Sequence, residues 1–271
     1  MVDNKSLPIG VFDSGVGGLT VAKEIMRNLP NEKIVYFADS ARIPYGSKSK
    51  DTVLGFARQI TNFLRTKEVK AIVIACNTAS AFAFEELEKE LDIPVVGVVL
   101  PGARAAARQT RNKKVGVIGT IGTVNSKLYA RFIQNEDSEI EVYGKACPLF
   151  VPLVEESMAT DSVTLTMAKR YLQPLMEMNI DTLVLGCTHY PLLKETIQSV
   201  VGENVSLVNP AYETVLVLKK VLEEQGLLSE SKEKPFHEFY VSDAPESFNE
   251  AAKLILDLEI DNTKKINIES Y

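Results

Sequence analysis

Residues 71–80, AIVIACNTAS, and residues 182–191, TLVLGCTHYP, read alike. Each begins as a short apolar run and reaches a cysteine, Cys76 or Cys187, where it turns polar ahead of a helical pattern. A continuous apolar run of this length, bounded in this way, suits a strand covered on both faces. In open α/β sheets, ligands bind outside the carboxyl ends of the strands. The two segments lie about one domain length apart. The chain therefore reads as two similar α/β units, each placing one cysteine at the carboxyl end of a strand.

Outward from these segments the same alternation continues. Strand-like runs are expected at Ile9–Phe12, Ile34–Phe37, Ala71–Ala75, Val95–Val99, Val115–Ile118, Ile140–Tyr143, Leu183–Leu185, Val205–Val208 and Phe239–Val241. Between them, sets such as Val21, Ala22, Ile25, Met26 and Leu29, or Val215, Leu218, Val221 and Leu222, repeat at helical spacing. Strand and helix in alternation predict α/β architecture with mainly parallel sheets. The expected fold is two open parallel-sheet α/β domains with a pseudo-two-fold relation and a site in the cleft between them. Pro101-Gly102 is read as a break after the fourth strand, and Asn209-Pro210 follows the eighth. These points suggest a central domain, 101–209, and a discontinuous one, 1–100 plus 210–271. Ser229–Lys234 reads as a surface loop. Glu259–Tyr271 is polar with only Ile266 and Ile268 as anchors, so its end is expected to fray.

Composition narrows the function classes. The 271 residues are 45% hydrophobic and 24% charged, which suits an ordinary globular protein. The net charge of −6 argues against a nonspecific nucleic-acid coat or a polybasic membrane binder. No apolar run approaches the ~18 residues of a membrane helix, and MVDNKSLPIG lacks a signal-peptide core. Three cysteines do not make a disulfide scaffold. A cytoplasmic, reduced protein is expected.

Chemistry concentrates at the expected strand ends: Asp13-Ser14-Gly15, Pro44-Tyr45-Gly46, Cys76-Asn77-Thr78 and Cys187-Thr188-His189. A thiol at a helix N-terminus meets the positive end of the helix dipole, which favours the reactive thiolate. A lone cysteine is most often a small buried hydrophobe, and Cys147 is read that way. Two cysteines in matching contexts argue for chemistry instead. Structural zinc wants four ligands at short paired spacings, which are missing here. A Cys187–His189 nucleophile, as in an acyl-thioester enzyme, would leave Cys76 idle. Two opposed thiols suit racemisation, in which one removes an α-proton and the other returns a proton to the opposite face.

The run DSGVGGLT matches neither common phosphate-binding glycine pattern. It reads as a tight turn needing glycine, with Asp13 and Ser14 facing a site. Asp13 is placed to orient or deprotonate a thiol, or to bind an ammonium. Ser14, Asn77, Thr78, Thr188 and helix-start N–H groups can hold an anionic substrate. Glu155 and Glu156 read most simply as a solvated helix start, and Arg42 and Lys48 as surface charge.

From Pro8 to Ala211 the chain resembles the glutamate racemases of the cofactor-independent aspartate/glutamate racemase superfamily. The resemblance rests on FDSGVGGLT, ADSARIPYG, ACNTAS, VGVVLPGARAA, CPLFVPLVE and LGCTHYPLL, in that order. ACNTAS together with GCTHYP is its most specific part. It implies interconversion of L- and D-glutamate for peptidoglycan, with no pyridoxal phosphate and no metal. It implies that Cys76 takes the α-proton of D-glutamate and Cys187 that of L-glutamate. Asp13 would assist near Cys76, and His189 and Glu155 near Cys187. Asp13, Ser14, Tyr45, Gly46, Asn77, Thr78, Thr188 and His189 would line the substrate site. The expected partner is the small-molecule substrate alone, without nucleic acid or membrane, and the expected assembly is a homodimer.

Overall fold

The computed structural model describes residues 4–271. Ten strands run in chain order: β1 (Ile9–Asp13), β2 (Ile34–Ala38), β3 (Ala71–Ile74), β4 (Val95–Gly97), β5 (Lys114–Gly119), β6 (Glu141–Ala146), β7 (Thr182–Gly186), β8 (Ser206–Val208), β9 (Glu238–Val241) and β10 (Lys264–Lys265). They form two sheets, one ordered β10-β9-β2-β1-β3-β4 and the other β6-β5-β7-β8. Every strand pair is parallel.

Parallel strands need crossover segments, and these are helices covering both faces of each sheet. In the first sheet, Val11 and Val73 pack into the cluster on one face, while Phe12 and Ile74 pack into that on the other. In the second sheet, Val117 and Val184 face one cluster, and Ile118 and Leu185 face the opposite one. This two-sided burial is why β1, β2, β3 and β7 read as unbroken apolar runs rather than alternating ones.

Chain order sets the ligand-binding end. In the first sheet the chain goes from β1 to β2 on one side, and β3 lies on the other. In the second, β5 leads to β6 on one side and β7 lies on the other. The crevices at the carboxyl ends of β1/β3 and β5/β7 are thus the topological switch points of the two sheets.

Several expectations are corrected. The fourth strand stops at Gly97 rather than Val99, and Pro101-Gly102 lies inside the helix Val99–Gln109. Proline is tolerated in a first turn, where backbone N–H groups have no intrahelical acceptor. Gly102 serves packing there: a Cβ would lie 2.9 Å from Pro210 Cγ, at the start of the helix Pro210–Glu224. The tail, expected to fray, is packed onto the fold. It adds β10 beside β9, buries Ile268 and sets Tyr271 edge-on to Phe63 with ring centroids 5.3 Å apart. Among the described residues no helix is long and apolar enough to cross a membrane.

Candidate active site

A cavity of about 280 Å³ is lined from both sheets by the strand-end segments. Asp13 ends β1 and Ser14 follows it. Cys76 follows β3 as the N-cap of the helix Asn77–Glu90. Cys187 follows β7 directly, and Thr120 follows β5. Ser14, Tyr45, Gly46, Cys76, Asn77, Thr78, Cys187, Thr188, His189 and Glu155 all line the cavity. Asp13 stands behind that wall and is fully buried. Its Oδ1 accepts the Gly15 N–H at 2.9 Å, and its Oδ2 accepts the Thr188 hydroxyl at 3.2 Å.

The two thiols are each only 6% exposed, yet their surroundings differ. Cys76 Sγ accepts the Ala79 N–H at 3.5 Å and donates to Ser14 Oγ at 3.8 Å. Burial pushes this thiol up to about 12, and the nearby Asp13 carboxylate adds to the rise. The Ala79 N–H and Ser14 offset it only in part. Cys76 thus rests as a thiol, a proton donor, despite its place at a helix N-terminus. Cys187 lacks the α-helix start expected for it, because the 3₁₀ turn Tyr190–Leu193 comes between it and the helix Lys194–Val201. It has an imidazole instead: Cys187 Sγ lies 3.8 Å from His189 Nδ1, and His189 Nε2 lies 3.1 Å from Glu155 Oε1.

Burial by itself would depress His189. The hydrogen bonds to Cys187 and Glu155 outweigh it and raise the imidazole to about 10, with Asp13 adding a smaller attraction. These neighbours favour the protonated ring, whose positive charge faces the Cys187 sulfur. Burial likewise raises the Asp13 carboxyl, against the opposing pull of His189 and of its N–H and hydroxyl donors.

This charge balance has a pH signature. Holding His189 above its ordinary 6.5 stabilises the folded site fully below that value, and the stabilisation is lost as pH rises through about 10. We expect kcat/KM to fall on the alkaline side near that pH. Glu155→Gln keeps an acceptor for His189 but removes the negative charge that favours the protonated imidazole, so it should shift the fall to lower pH. A pH–rate profile unchanged by Glu155→Gln would show that the pair does not set the protonation state.

Glycine admits this arrangement by its small size, not by an unusual backbone angle. A Cβ on Gly17 would lie 2.5 Å from both His189 Nδ1 and Thr188 Oγ1. One on Gly18 would lie 2.4 Å from Asp13 Cβ. The turn expected of DSGVGGLT is thus a close approach between this loop and the segment after β7.

Two polar residues read as ordinary surface, Glu155 and Arg42, are placed differently. Glu155 ends the helix Phe150–Glu155 rather than starting one, and its carboxylate faces His189. Arg42 donates from Nε to the buried Asp39 at 2.7 Å and covers Phe56 at 4.0 Å. Lys48 lies 5.9 Å from the same ring. Asp39 also accepts the Tyr45 hydroxyl, which anchors the Pro44-Tyr45-Gly46 loop. Cys147 is buried and donates to the Lys145 carbonyl at 3.6 Å, a packing role.

Sequence reading missed Thr120, Ile121, Pro148, Val151 and Pro152 in the cavity wall. Thr120 follows the apolar run VGVIG, so the strand-end rule applied to β5 finds it. Its hydroxyl lies 2.8 Å from that of Thr78, joining the two sheets' segments across the cavity.

Residues 9–217 match the Asp/Glu/hydantoin racemase family. The chain belongs to that family. It is accordingly an enzyme, an amino-acid racemase. A glutamate racemase from Geobacter metallireducens is 48% identical over 97% of each chain. The crystal structure of a glutamate racemase isoform from Bacillus anthracis superposes with a TM-score of 0.94 at 41% identity, covering 97% of this chain and 98% of that one. A glutamate racemase from Francisella tularensis, solved in complex with D-glutamate, has a TM-score of 0.92 at 41% identity, covering 98% of this chain and all of that one. The α/β fold with two parallel sheets is the one these racemases share.

Proposed function

We propose that this racemase interconverts L- and D-glutamate by a cofactor-independent, two-thiol proton transfer. The observation that carries the reading is the cavity shared by Cys76 and Cys187, which reach it from separate sheets. The identity to named glutamate racemases supports the substrate, as does the D-glutamate held by the Francisella relative.

In the reaction, one cysteine thiolate takes the α-proton and becomes a thiol, leaving an electron pair on the substrate's α-carbon. The opposing thiol gives its proton to the other face and becomes the thiolate. The product is the mirror image, and the two sulfurs have exchanged protonation states. Cys187, with its sulfur 3.8 Å from His189 Nδ1, is placed to accept the proton of L-glutamate. Cys76, held as a thiol, is suited to deliver. For D-glutamate the roles reverse, and Asp13 and Ser14 serve Cys76. The developing charge is stabilised by fixed donors and by close positioning: Asn77, Thr78, Thr188 and N–H groups around Gly46. Among the described residues no lysine or arginine lines the cavity, so these neutral donors, with the His189 ring beside them, are the groups left to hold the carboxylates.

The two lobes proposed to clasp glutamate are 1–100 plus 210–271 and 101–209, supported by the division of strands between the sheets. Supply of D-glutamate to peptidoglycan, the role of glutamate racemases, supports the reading of a cytoplasmic enzyme. A homodimer without nucleic-acid or membrane partners belongs to the same reading.

Circular dichroism of pure L- and pure D-glutamate, with reduced protein free of metal and pyridoxal, tests it. Both signals should decay to zero, and in deuterated water the products should carry deuterium at the α-carbon. Decay with aspartate but not glutamate would overturn the substrate assignment.

A further inference from the structure

Among the buried polar side chains that the proton chemistry does not use, Tyr129 reaches the site. Tyr129, in the helix Leu128–Glu136 beside the second sheet, is only 3% exposed. Its ring fits where two glycines make room. A Cβ at Gly102 would lie 3.3 Å from Tyr129 Cε1, and a Cβ at Gly186 would lie 3.3 Å from Cε2. Gly186 immediately precedes Cys187. The Tyr129 hydroxyl reaches across to the first sheet's site segment and donates to Asn77 Oδ1 at 2.7 Å. Asn77 immediately follows Cys76. One side chain thus braces the residue before one thiol against the residue after the other.

The direction of this hydrogen bond matters. An amide presents a donor on one side and an acceptor on the other, and its network decides which faces where. Burial holds the phenol in its neutral, proton-bearing form. Asn77 is the only hydrogen-bond partner of that hydroxyl among the described residues. If the amide were flipped, the phenol proton would be buried without an acceptor, a costly state. Asn77 Oδ1 is therefore committed to Tyr129. Asn77 also lines the cavity, and its Nδ2 has no partner among the described residues. That nitrogen is the donor left over for a substrate.

Resting on the racemase reading above, we infer that Tyr129 is a positioning residue. It locks the Asn77 amide so that Nδ2 donates to a carboxylate of the bound amino acid, and it braces the two cysteine segments against each other. Without the phenol the amide can turn about its side-chain bond and offer its oxygen to the carboxylate, which repels it.

The test is steady-state racemisation by the wild-type protein, Tyr129→Phe, Asn77→Asp and the double variant. Tyr129→Phe keeps the ring between the glycines and removes only the hydroxyl. It should raise KM about tenfold for both enantiomers, with kcat within about twofold. A variant that is merely partly unfolded lowers apparent kcat and leaves KM unchanged. Asn77→Asp keeps an acceptor for Tyr129 and removes the donor, so it should raise KM at least as much. Adding Tyr129→Phe to it should change KM little further. An unchanged KM in Asn77→Asp overturns the inference even if Tyr129→Phe does not fold. Unchanged KM in a folded Tyr129→Phe overturns it while leaving the racemase reading intact. If wild-type protein does not racemise glutamate, the reading falls and takes the inference with it.

Discussion

Replacing either Cys76 or Cys187 by serine is expected to lower racemisation in both directions by at least about 10³-fold. In the proposed mechanism each thiol carries the proton on its own face, so the loss of one blocks the full cycle whichever enantiomer enters. The two variants should nevertheless differ. With Cys187 intact, Cys76→Ser retains the sulfur beside His189 and should still exchange the α-proton of L-glutamate with solvent. Cys187→Ser retains Cys76 with Ser14 and Asp13, and should exchange that of D-glutamate only. Nuclear magnetic resonance in deuterated water reads this directly, by loss of the α-proton signal from each pure enantiomer. Substantial racemisation by either variant would rule out the two-thiol mechanism. Equal exchange of both enantiomers by one variant would rule out separate facial roles.

The second large effect concerns stability and lies at the opposite end of the first sheet. Lys70→Met is expected to destabilise the protein by about 3–5 kcal/mol. Lys70 Nζ lies 2.6 Å from Glu32 Oε2, and both side chains are 1% exposed. The ammonium also donates to the carbonyls of Lys5 and Leu227, while Glu32 Oε1 accepts the Ser229 N–H at 2.7 Å. These bonds tie the segments entering β2 and β3 to the chain beyond the helix Pro210–Glu224. Methionine leaves the Glu32 carboxylate buried without its countercharge, and that uncompensated charge dominates the cost. A urea titration reads the change as a lower midpoint at similar slope. A loss below about 1 kcal/mol would mean that water or a rearranged partner compensates the carboxylate. The ion pair sits at the amino ends of β2 and β3, away from the strand-end cavity, so KM for glutamate should stay as in the wild type.

Much of the architecture was legible along the chain because burial on both faces writes itself into composition. Nine of the ten strands in the structure correspond to apolar runs such as Ile9–Phe12 and Leu183–Leu185. The tenth, Lys264–Lys265, is exposed and two residues long. It forms because β9 offers an open edge, and no local apolar signal marks it. Pro101-Gly102 misled for a related reason: the residues that punctuate a chain locally are also tolerated in a helix's first turn. There, a neighbouring helix needs the space that glycine leaves.

The cysteine pair, the strand-end polar residues and the family resemblance came from the order of residues alone. They needed only local pattern and the rule that open α/β sheets bind at carboxyl ends. The different surroundings of the two thiols came from tertiary structure. Whether a thiol rests protonated depends on what lies beside it in space: His189 neighbours Cys187 in the chain, but Glu155, which bonds that imidazole, and Asp13 and Ser14, which lie by Cys76, come from other segments. The same holds for Tyr129, whose ring and hydroxyl touch residues distant in sequence. Local sequence placed each acid and base at a strand end. Long-range packing, through burial and through charges a few ångströms apart, decided the part each can play.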